Sequence, residues 1–413
     1  MRHSSGEKQA RDSTRLLKVD AKTGVVMEKK GSPKTMIGEG SYHSGERVRA
    51  LRQLLVIFLG VSLVVGVPLL AFGDDSINPF KSSSSKISPH EESGEHPDGG
   101  EATGSVNVAE PVTLTLSFVG DCTLGTDENF SYETGFNKYY EDNGADYFFK
   151  NVRSIFEKDD LTVVNMEGTL TESTSREDKE FAFKGPPEYV SILAGSSVEA
   201  ANVANNHSYD YGEQSYNDTV EILEKNDIET FGYERTKIVE VKGIKVGLSG
   251  ITTVGKSSAG DEVRANMAAL KEAGADLIIA TFHWGEEGSN EVIDWQRELA
   301  CIAIDEGADL VVGHHPHVLQ GIEKYHGTYI AYSLGNFSFG GNSDPVDKDT
   351  MIFQQTFTIT AEGAELNDDI TVIPCSISST TSHNDYCPTP LEGDEASRVL
   401  SKIESFSEDI KLT

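Results

Sequence analysis

The sequence predicts an α/β fold, a sandwich of helices packed on mixed β-sheets. Strand and helix patterns alternate from about residue 112 to residue 312, which is typical of this class. Several strand patterns then follow one another up to residue 374, so the sheets are expected to be mixed. Polar residues or histidines stand directly after five of the predicted strands, where an α/β sheet places its functional site.

The individual elements are predicted from short apolar, β-branched runs for strands and from amphipathic periodicity for helices. Strands are expected at residues 112–119, 161–164, 198–203, 229–231, 237–241, 244–250, 276–282, 309–312, 328–333, 351–360 and 370–374. Helices are expected at residues 139–157, 188–194, 213–225, 262–272, 291–305 and 395–410. The dipeptide Lys242-Gly243 separates two of the strands and predicts a hairpin there.

The chain before residue 111 divides into three segments. Residues 1–50 are polar and mixed in charge, which predicts a disordered tail. The run from Leu54 to Phe72 has no charge over nineteen residues, so we expect a transmembrane helix within residues 51–73. Residues 74–110 are rich in Ser, Glu, Gly and Pro and predict a flexible acidic linker, followed by a folded domain over residues 111–413.

The charges beside the apolar run predict its orientation. Arg47, Arg49 and Arg52 precede the run, and Asp74 and Asp75 follow it. Positive residues favour the cytoplasmic side, so we expect a cytoplasmic N-terminus and an extracellular main domain held at the cell membrane. A cleaved signal peptide is the alternative, which the length and the position of the run disfavour.

The net charge argues against a nucleic-acid partner. The whole chain carries −32, yet residues 1–52 hold twelve Lys or Arg and six Asp or Glu, a net of +6, which leaves −38 on the remainder. Phosphate contacts need clustered basic residues, and the folded part has few. We interpret the acidic surface as solvation of an external domain.

Cysteine usage leaves the redox state open. Cys122 is expected to be a small buried residue, and Cys301 stands in a helical pattern that predicts burial. Cys375 and Cys387 could pair if this part of the chain lies outside the cell. Four free thiols are equally compatible with the sequence.

The polar residues at the strand ends define the candidate site. They are Asp121, Asn165, Glu167, Asn205, Asn206, His207, His283 and the cluster Gly313-His314-His315-Pro316-His317. Because the carboxyl ends of parallel strands meet at one edge of a sheet, we expect these side chains to line one crevice. Taken singly, each has another interpretation, such as a turn cap, a loop amide or a packed core histidine.

The mixture of ligand types predicts the metal chemistry. Two carboxylates, an amide oxygen and several imidazoles suit Zn, Mn or Fe, and no thiolate is needed. They exceed what one tetrahedral ion takes, so the site is expected to hold one or two divalent ions. Two metal ions held side by side activate water and bind both the attacking and the leaving oxygen of a phosphoester displacement.

Six motifs resemble signatures of the CapA family, which takes part in capsule synthesis and poly-γ-glutamate biosynthesis and is similar to calcineurin-like metallophosphoesterases. The motifs are Gly120-Asp121, Asn165-x-Glu167, Asn205-Asn206-His207-x-x-Asp210-x-Gly212, His283-Trp284-Gly285-Glu286, the histidine cluster, and Ser333-Leu334-Gly335-Asn336-Phe337. The resemblance implies a four-layer αββα sandwich of two mixed sheets.

The resemblance also implies roles for single residues. Its implied first-metal ligands are Asp121 and His317, its bridging ligand is Glu167, its second-metal ligands are Asn206, His283 and His315, and its proton donor to the leaving oxygen is His207. The chain departs from the phosphoesterases at one position, because they carry Asp-x-His where this chain has Asp121-Cys122-Thr123. The first metal therefore loses one imidazole.

Three hypotheses about function follow. The first is an extracytoplasmic metal-dependent hydrolase or transferase that acts on a phosphoester or on a polyglutamate chain. The second is a non-catalytic accessory subunit, anchored to the membrane beside a polyglutamate synthase, that binds or exports the anionic polymer. The acidic charge is a difficulty for the second hypothesis, because it repels a polyanion. A surface receptor or adhesin domain is the third.

Overall fold

A computed structural model describes residues 110–412, which form a mixed α/β domain. The α/β class predicted from the sequence is therefore confirmed. The predicted tail (1–50), anchor (51–73) and linker up to residue 109 lie outside the described residues. Within residues 110–412, no helix is both long enough and apolar enough to cross a membrane.

The domain contains eighteen strands and seven α-helices in the described part of the chain. The strands are β1 Val112–Thr123, β2 Thr126–Asp127, β3 Leu161–Met166, β4 Thr169–Leu170, β5 Phe183–Gly185, β6 Ala200–Asn202, β7 Glu229–Phe231, β8 Lys237–Val241, β9 Ile244–Thr252, β10 Leu277–His283, β11 Leu310–His314, β12 Ile322–Tyr325, β13 Thr328–Ala331, β14 Asn336–Phe339, β15 Asp349–Thr360, β16 Gly363–Ala364, β17 Ile370–Ser376 and β18 Thr389–Pro390. The helices are α1 Phe136–Asn143, α2 Arg153–Phe156, α3 Val190–Ala194, α4 Gly212–Lys225, α5 Gly260–Glu272, α6 Asp294–Asp305 and α7 Gly393–Phe406.

Two large mixed sheets organise these elements. The nine-stranded sheet follows the order β18-β17-β15-β1-β3-β6-β7, with β14 paired to β1 and β16 to β15. The six-stranded sheet follows the order β12-β13-β11-β10-β9-β8. The central strands β1, β3, β6 and β7 are parallel, as are β9, β10, β11 and β13. A small third sheet joins β2, β5 and β4.

Alternate residues of the central strands enter different hydrophobic clusters, because successive side chains of a strand point to opposite faces. Val163 belongs to a cluster shared by both large sheets, whereas Val164 packs in a cluster with α3 and α4. In the second sheet, Ile279 lies in the shared cluster and Ile278 in one with α5 and α6. Both sheets are therefore buried on their two faces, which explains their apolar, β-branched sequences.

The helix expected at residues 139–157 is wrong. Helix α1 ends at Asn143, and Gly144 follows with φ 74°, a conformation that glycine adopts without steric cost. A 3₁₀ turn at Ala145–Tyr147 and the one-turn helix α2 complete the segment. Phe148, Phe149, Val152 and Phe156 are buried, and their spacing gave a helical periodicity to a segment that is mostly turns.

The strand boundaries also differ from the sequence prediction. Strand β1 continues through Thr123, so Asp121 lies within the strand and not after it. Residue Gly120 permits the close approach of the neighbouring chain, since a Cβ there would lie 2.2 Å from the Gly335 carbonyl oxygen. The hairpin at Lys242-Gly243 is confirmed by the antiparallel pairing of β8 and β9.

All four cysteines are free thiols. Cys375 and Cys387 are buried, and the Cys387 Sγ atom lies 3.3 Å from the Tyr147 carbonyl oxygen. Burial raises the pKa of both thiols to about 12. Of the two alternatives that the sequence left open, the structure has the unpaired one.

Candidate metal centre

The two large sheets bring all seven predicted site residues to one region. The nine-stranded sheet supplies Asp121 from β1, Glu167 after β3, and Asn206 and His207 after β6. The six-stranded sheet supplies His283, the last residue of β10, and His315 and His317 after β11. Each of these side chains is linked to another member of the set, or to a shared neighbour, by a contact described below.

The buried Asp121 and the partly exposed His317 form a pair across the two sheets. The Asp121 Oδ2 atom lies 3.2 Å from His317 Nδ1, and the backbone N–H of His315 donates to the same oxygen at 3.2 Å. Asn165 Nδ2 donates to Asp121 Oδ1 at 2.8 Å. Burial alone would raise the pKa of Asp121, but the hydrogen bond and the charge of His317 hold it below its usual range.

The pKa of His317 shifts in the opposite direction. Burial alone would lower it, but the nearby charges of Glu167 and Asp121 raise it to about 10. A histidine that stays charged inside the protein has partners on more than one side. Asn336 Oδ1 is the third acceptor, 2.9 Å from His317 Nδ1.

Glu167 is fully buried, and neither of its carboxylate oxygens has a hydrogen-bond partner within residues 110–412. The Oε1 atom lies 3.5 Å from His283 Nε2 and 3.8 Å from His317 Nε2. Burial raises the pKa of this carboxyl well above its ordinary value, although the charge of His317 opposes the shift. A buried carboxylate without hydrogen bonds calls for an explanation, and a bound cation supplies one.

Glu167, His315 and His317 form a group of three potential ligands, whose donor atoms all lie within 4.8 Å of one another. His315 Nδ1 is also buried without a hydrogen bond to any described residue, and burial, with the charge of His317, lowers the pKa of His315 to about 4. An uncharged imidazole has the lone pair that a metal ion needs. One carboxylate and two imidazoles are a donor set that suits Zn, Mn or Fe.

His283 and Asn206 form a second pair beside this group. His283 Nε2 lies 2.7 Å from Asn206 Oδ1, and its Nδ1 lies 3.3 Å from Asn165 Nδ2. The imidazole centre is 4.7 Å from that of His315. Burial lowers the pKa of His283 well below its usual value, so the ring is neutral.

His207 is held by a carboxylate and a lysine. Its Nδ1 atom lies 2.7 Å from Asp210 Oδ2, and Lys179 Nζ donates to Asp210 Oδ1 at 2.6 Å and to the Asn206 carbonyl at 2.9 Å. The His207 proton therefore sits on Nδ1, which leaves the lone pair on Nε2. Burial lowers the pKa of His207 despite the contact with Asp210.

The turn after β11 places the histidine cluster by an unusual backbone conformation. His315 has φ 97° and His317 has φ 59°, both positive and uncommon for residues with a side chain. His314 does not belong to the ligand group of Glu167, His315 and His317, and its Nε2 donates to the Val119 carbonyl at 3.0 Å. This hydrogen bond joins the two sheets.

Four further residues of the site carry no role in the sequence prediction. Asp210 and Asn336 stand inside recognised motifs, so their position was a usable signal. Asn202 is an amide within the apolar strand β6, which is also informative. Lys179 lies in a polar, charged loop where nothing distinguishes it from a solvated lysine.

Comparison with known proteins gives a family match. Residues 115–341, which include all seven predicted site residues, match the family model described as bacterial capsule synthesis protein PGA_cap. The PGA biosynthesis protein CapA of Bacillus subtilis is 35% identical over 259 residues, 57% of this chain and 66% of the relative. The capsule biosynthesis protein CapA of Bacillus anthracis is 31% identical over 266 residues, 58% of this chain and 63% of the relative.

More distant similarities complete the comparison. A probable polyglutamine synthesis accessory protein of Mycobacterium tuberculosis is 28% identical over 214 residues, 43% of this chain and 55% of that protein. The matched region thus spans less than two thirds of the length of these relatives. The crystal structure of TT1561 of Thermus thermophilus aligns with 58% of this chain and 94% of its own, at 11% identity and a TM-score of 0.33. The fold assignment rests on the sheet topology and not on that alignment.

Proposed function

Because the chain belongs to the bacterial capsule synthesis family PGA_cap, the CapA family, we propose that it acts in the biosynthesis or export of poly-γ-glutamate capsule through a metal-dependent hydrolase site. The observation that carries the hydrolase part is the buried carboxylate of Glu167, which makes no hydrogen bond to any described residue and lies with His315 and His317. The substrate class is a phosphoester or the anionic polymer itself.

The proposed fold relation is to the metallophosphoesterases, with four layers in the order αββα. Three hydrophobic clusters support it: one between the large sheets and one under the helices of each outer face. The candidate ligands lie where the strands of both sheets end, which is the edge at which such folds place their sites.

The residues of the site divide the chemical work. Glu167, His315 and His317 would hold a divalent ion, which when bound would supply Lewis-acid activation of water and neutralise charge on the reacting group. His207 holds a proton on Nδ1 against Asp210, so its Nε2 is the atom that exchanges a proton with the reacting oxygen. Lys179 fixes the Asp210 carboxylate by charge and hydrogen bond.

The membrane anchor and the location are also part of the proposal. The uncharged run from Leu54 to Phe72, with arginines before it and aspartates after it, supports a single span with the N-terminus in the cytoplasm. The main domain then lies outside the cell, beside the membrane-bound subunits of a polyglutamate synthase. The name of the Mycobacterium tuberculosis relative, a probable polyglutamine synthesis accessory protein, supports that partnership.

The purified full-length chain tests the enzymatic proposal. It should contain a stoichiometric transition metal by elemental analysis and should hydrolyse a chromogenic phosphoester. His207→Ala should lower kcat by about 10²- to 10⁴-fold and leave the circular dichroism spectrum unchanged. His326→Asn, which alters an exposed histidine with 68% of its side chain accessible, is the control and should keep full turnover. Absence of metal, or unchanged turnover in His207→Ala, contradicts the proposal.

A non-catalytic accessory role is the second candidate. It is favoured by Thr123, which stands where the metallophosphoesterases carry a histidine ligand. Its test is a deletion strain complemented with the His207→Ala chain. Restored polymer secretion favours the accessory role, restoration by the wild-type chain alone favours the enzyme, and secretion that persists in the uncomplemented strain excludes both.

A further inference from the structure

His317 has surroundings that suit a metal ligand. Its Nδ1 faces two acceptors, Asn336 Oδ1 at 2.9 Å and Asp121 Oδ2 at 3.2 Å. The Asn336 amide is oriented by its NH₂ group, which donates to the His317 carbonyl at 3.3 Å. With acceptors at Nδ1, the ring keeps its proton there, and when the charged ring releases its Nε2 proton on ion binding, the Nε2 lone pair faces the cation, as in ligating histidines.

His283 has the opposite surroundings, set by a chain of two amides that begins at a backbone N–H. Ala204 N donates to Asn202 Oδ1 at 3.0 Å, which fixes the oxygen end of that amide. Asn202 Nδ2 donates to Asn165 Oδ1 at 2.9 Å, so Asn165 presents its NH₂ group on the other side. That group donates to Asp121 Oδ1 at 2.8 Å and lies 3.3 Å from His283 Nδ1. If either amide group were rotated by 180°, two acceptors or two donors would face each other.

The fold holds this chain of amides in place. A Cβ atom at Gly250, in the six-stranded sheet, would lie 2.0 Å from Asn202 Oδ1, and one at Gly232 would lie 3.0 Å from it. Asn202 is fully buried, so its amide fills the space that these two glycines leave between the sheets. The orientation is a property of the packed core and not of a mobile side chain.

We propose that Asn165 and Asn202 are positioning residues that hold His283 in the Nε2–H tautomer. The Nδ1 atom of this neutral ring then accepts from Asn165, and Nε2 donates to Asn206 Oδ1 at 2.7 Å. A ring that bound a cation through Nε2 would carry its proton on Nδ1, directed at the NH₂ group of Asn165. His283 and Asn206 therefore satisfy each other's hydrogen-bonding groups without an ion.

The consequence is a site for one divalent ion, held by Glu167, His315 and His317, and not for two. This inference rests on the proposed metal site and specifies its stoichiometry. It separates the imidazoles by function: His315 and His317 offer lone pairs to the ion, and His283 orients the amide of Asn206.

Zn²⁺ binding to the full-length chain, measured by equilibrium dialysis with elemental analysis, tests the stoichiometry. We expect one equivalent of Zn²⁺ for the wild-type chain. His315→Ala should weaken binding by at least about 100-fold, whereas His283→Gln should change the affinity by no more than about twofold. Two equivalents, or an equal loss in both variants, overturn the one-ion site.

The tautomer is tested independently by ¹⁵N NMR of the chain labelled at histidine, with the His283 signals assigned from their absence in His283→Gln. We expect the proton on Nε2, and a proton on Nδ1 overturns the proposal whether or not an ion binds. Asn165→Asp offers Nδ1 an acceptor and should move the proton to Nδ1 and admit a second Zn²⁺. Asn226→Asp adds the same charge at an exposed position and should change neither result.

Failure of the two proposals can be told apart. A chain that binds no Zn²⁺ overturns the proposed metal-dependent function together with the one-ion site. The NMR spectrum still decides the positioning role of the amides in that case, because the tautomer is measured without any ion.

Discussion

The two large sheets contribute different chemistry to the same crevice. The nine-stranded sheet provides both carboxylates, the amides and the histidine paired with Asp210, whereas the six-stranded sheet provides the other imidazoles. The contacts that define the site cross from one sheet to the other, as in the pairs Asp121 with His317 and Glu167 with His283. Neither sheet alone holds a complete ligand set, so the site depends on how the sheets pack.

The two sheets also differ in the charge of the side chains that they contribute to the site. The first sheet places negative charge in the interior, and the second places neutral or positive imidazoles against it. Buried charges of one sign are costly without a partner, so each half of the site needs the other half or an ion. Changes to single residues or to the pH test this dependence, and the change with the largest expected effect comes first.

Glu167→Gln removes the charge that the first sheet offers to a cation. The amide keeps the shape of the side chain, but it is a weaker ligand, so Zn²⁺ affinity should fall by at least about 100-fold. The ion-free chain should lose no hydrogen bond, because the carboxylate oxygens make none in the described structure, and only the attraction between Glu167 and His317 is weakened. Equilibrium dialysis and urea unfolding measure the two effects. A fall in stability without a change in affinity would contradict the assignment.

Raising the pH should weaken the ion pair across the sheets. The pKa of His317 is raised to about 10, so its stabilising contribution is complete below pH about 6.5 and is lost as the pH rises to 10. The pKa of Asp121 is lowered, so its contribution is present above pH about 4 and lost in acid. Loss of the pair should cost about 3 kcal/mol of unfolding free energy, measured by urea titration with a chelator present. His317→Asn should remove most of the alkaline dependence, and an unchanged profile would disprove the pair.

Gly250→Ala should separate the sheets locally. The new Cβ would lie 2.0 Å from Asn202 Oδ1, so the amide or the strand must move, at a cost of about 2 kcal/mol. The Zn²⁺ stoichiometry should be measured in the same variant, because the movement also frees His283. Gly260→Ala at the start of α5 meets a flexible arginine at 3.3 Å and should not destabilise the chain. Equal losses of unfolding free energy in both variants would argue against close packing of Gly250 on Asn202.

His314→Leu should have the smallest effect. It removes the hydrogen bond from Nε2 to the Val119 carbonyl, which lies in the other sheet, and leaves that acceptor unpaired at a cost of about 1 kcal/mol. Ion affinity should stay within about twofold of wild type, since His314 is not in the ligand group. A large loss of Zn²⁺ binding would show that the cluster contributes three ligands and not two.

Much of this architecture could be predicted from the sequence, because it depends on local patterns. Apolar β-branched runs identified β3, β10 and β11, and a turn dipeptide identified the hairpin of β8 and β9. The grouping of the site residues also followed from one rule, that strands ending at the same edge bring their last residues together. All seven predicted side chains lie in the connected set that this rule describes.

The remainder depends on contacts between distant segments, which a local pattern does not contain. Nothing near Lys179 in the sequence indicates that it reaches Asp210, and the directions of the amides of Asn165 and Asn202 are fixed only by the folded neighbours. The strands of the small sheet, β2, β4 and β5, have two or three residues each and are too short to give a periodic signal.

The positive φ angles of His315 and His317 set a limit on how this protein can be stabilised. Replacement by glycine at either position would relieve backbone strain of about 1–3 kcal/mol, and screens that reward thermal resistance would favour it. The same replacement deletes an imidazole. Selection for thermal stability and selection for activity therefore act against each other at these two positions. Selection for thermal stability alone is expected to yield a more stable variant that no longer binds the ion.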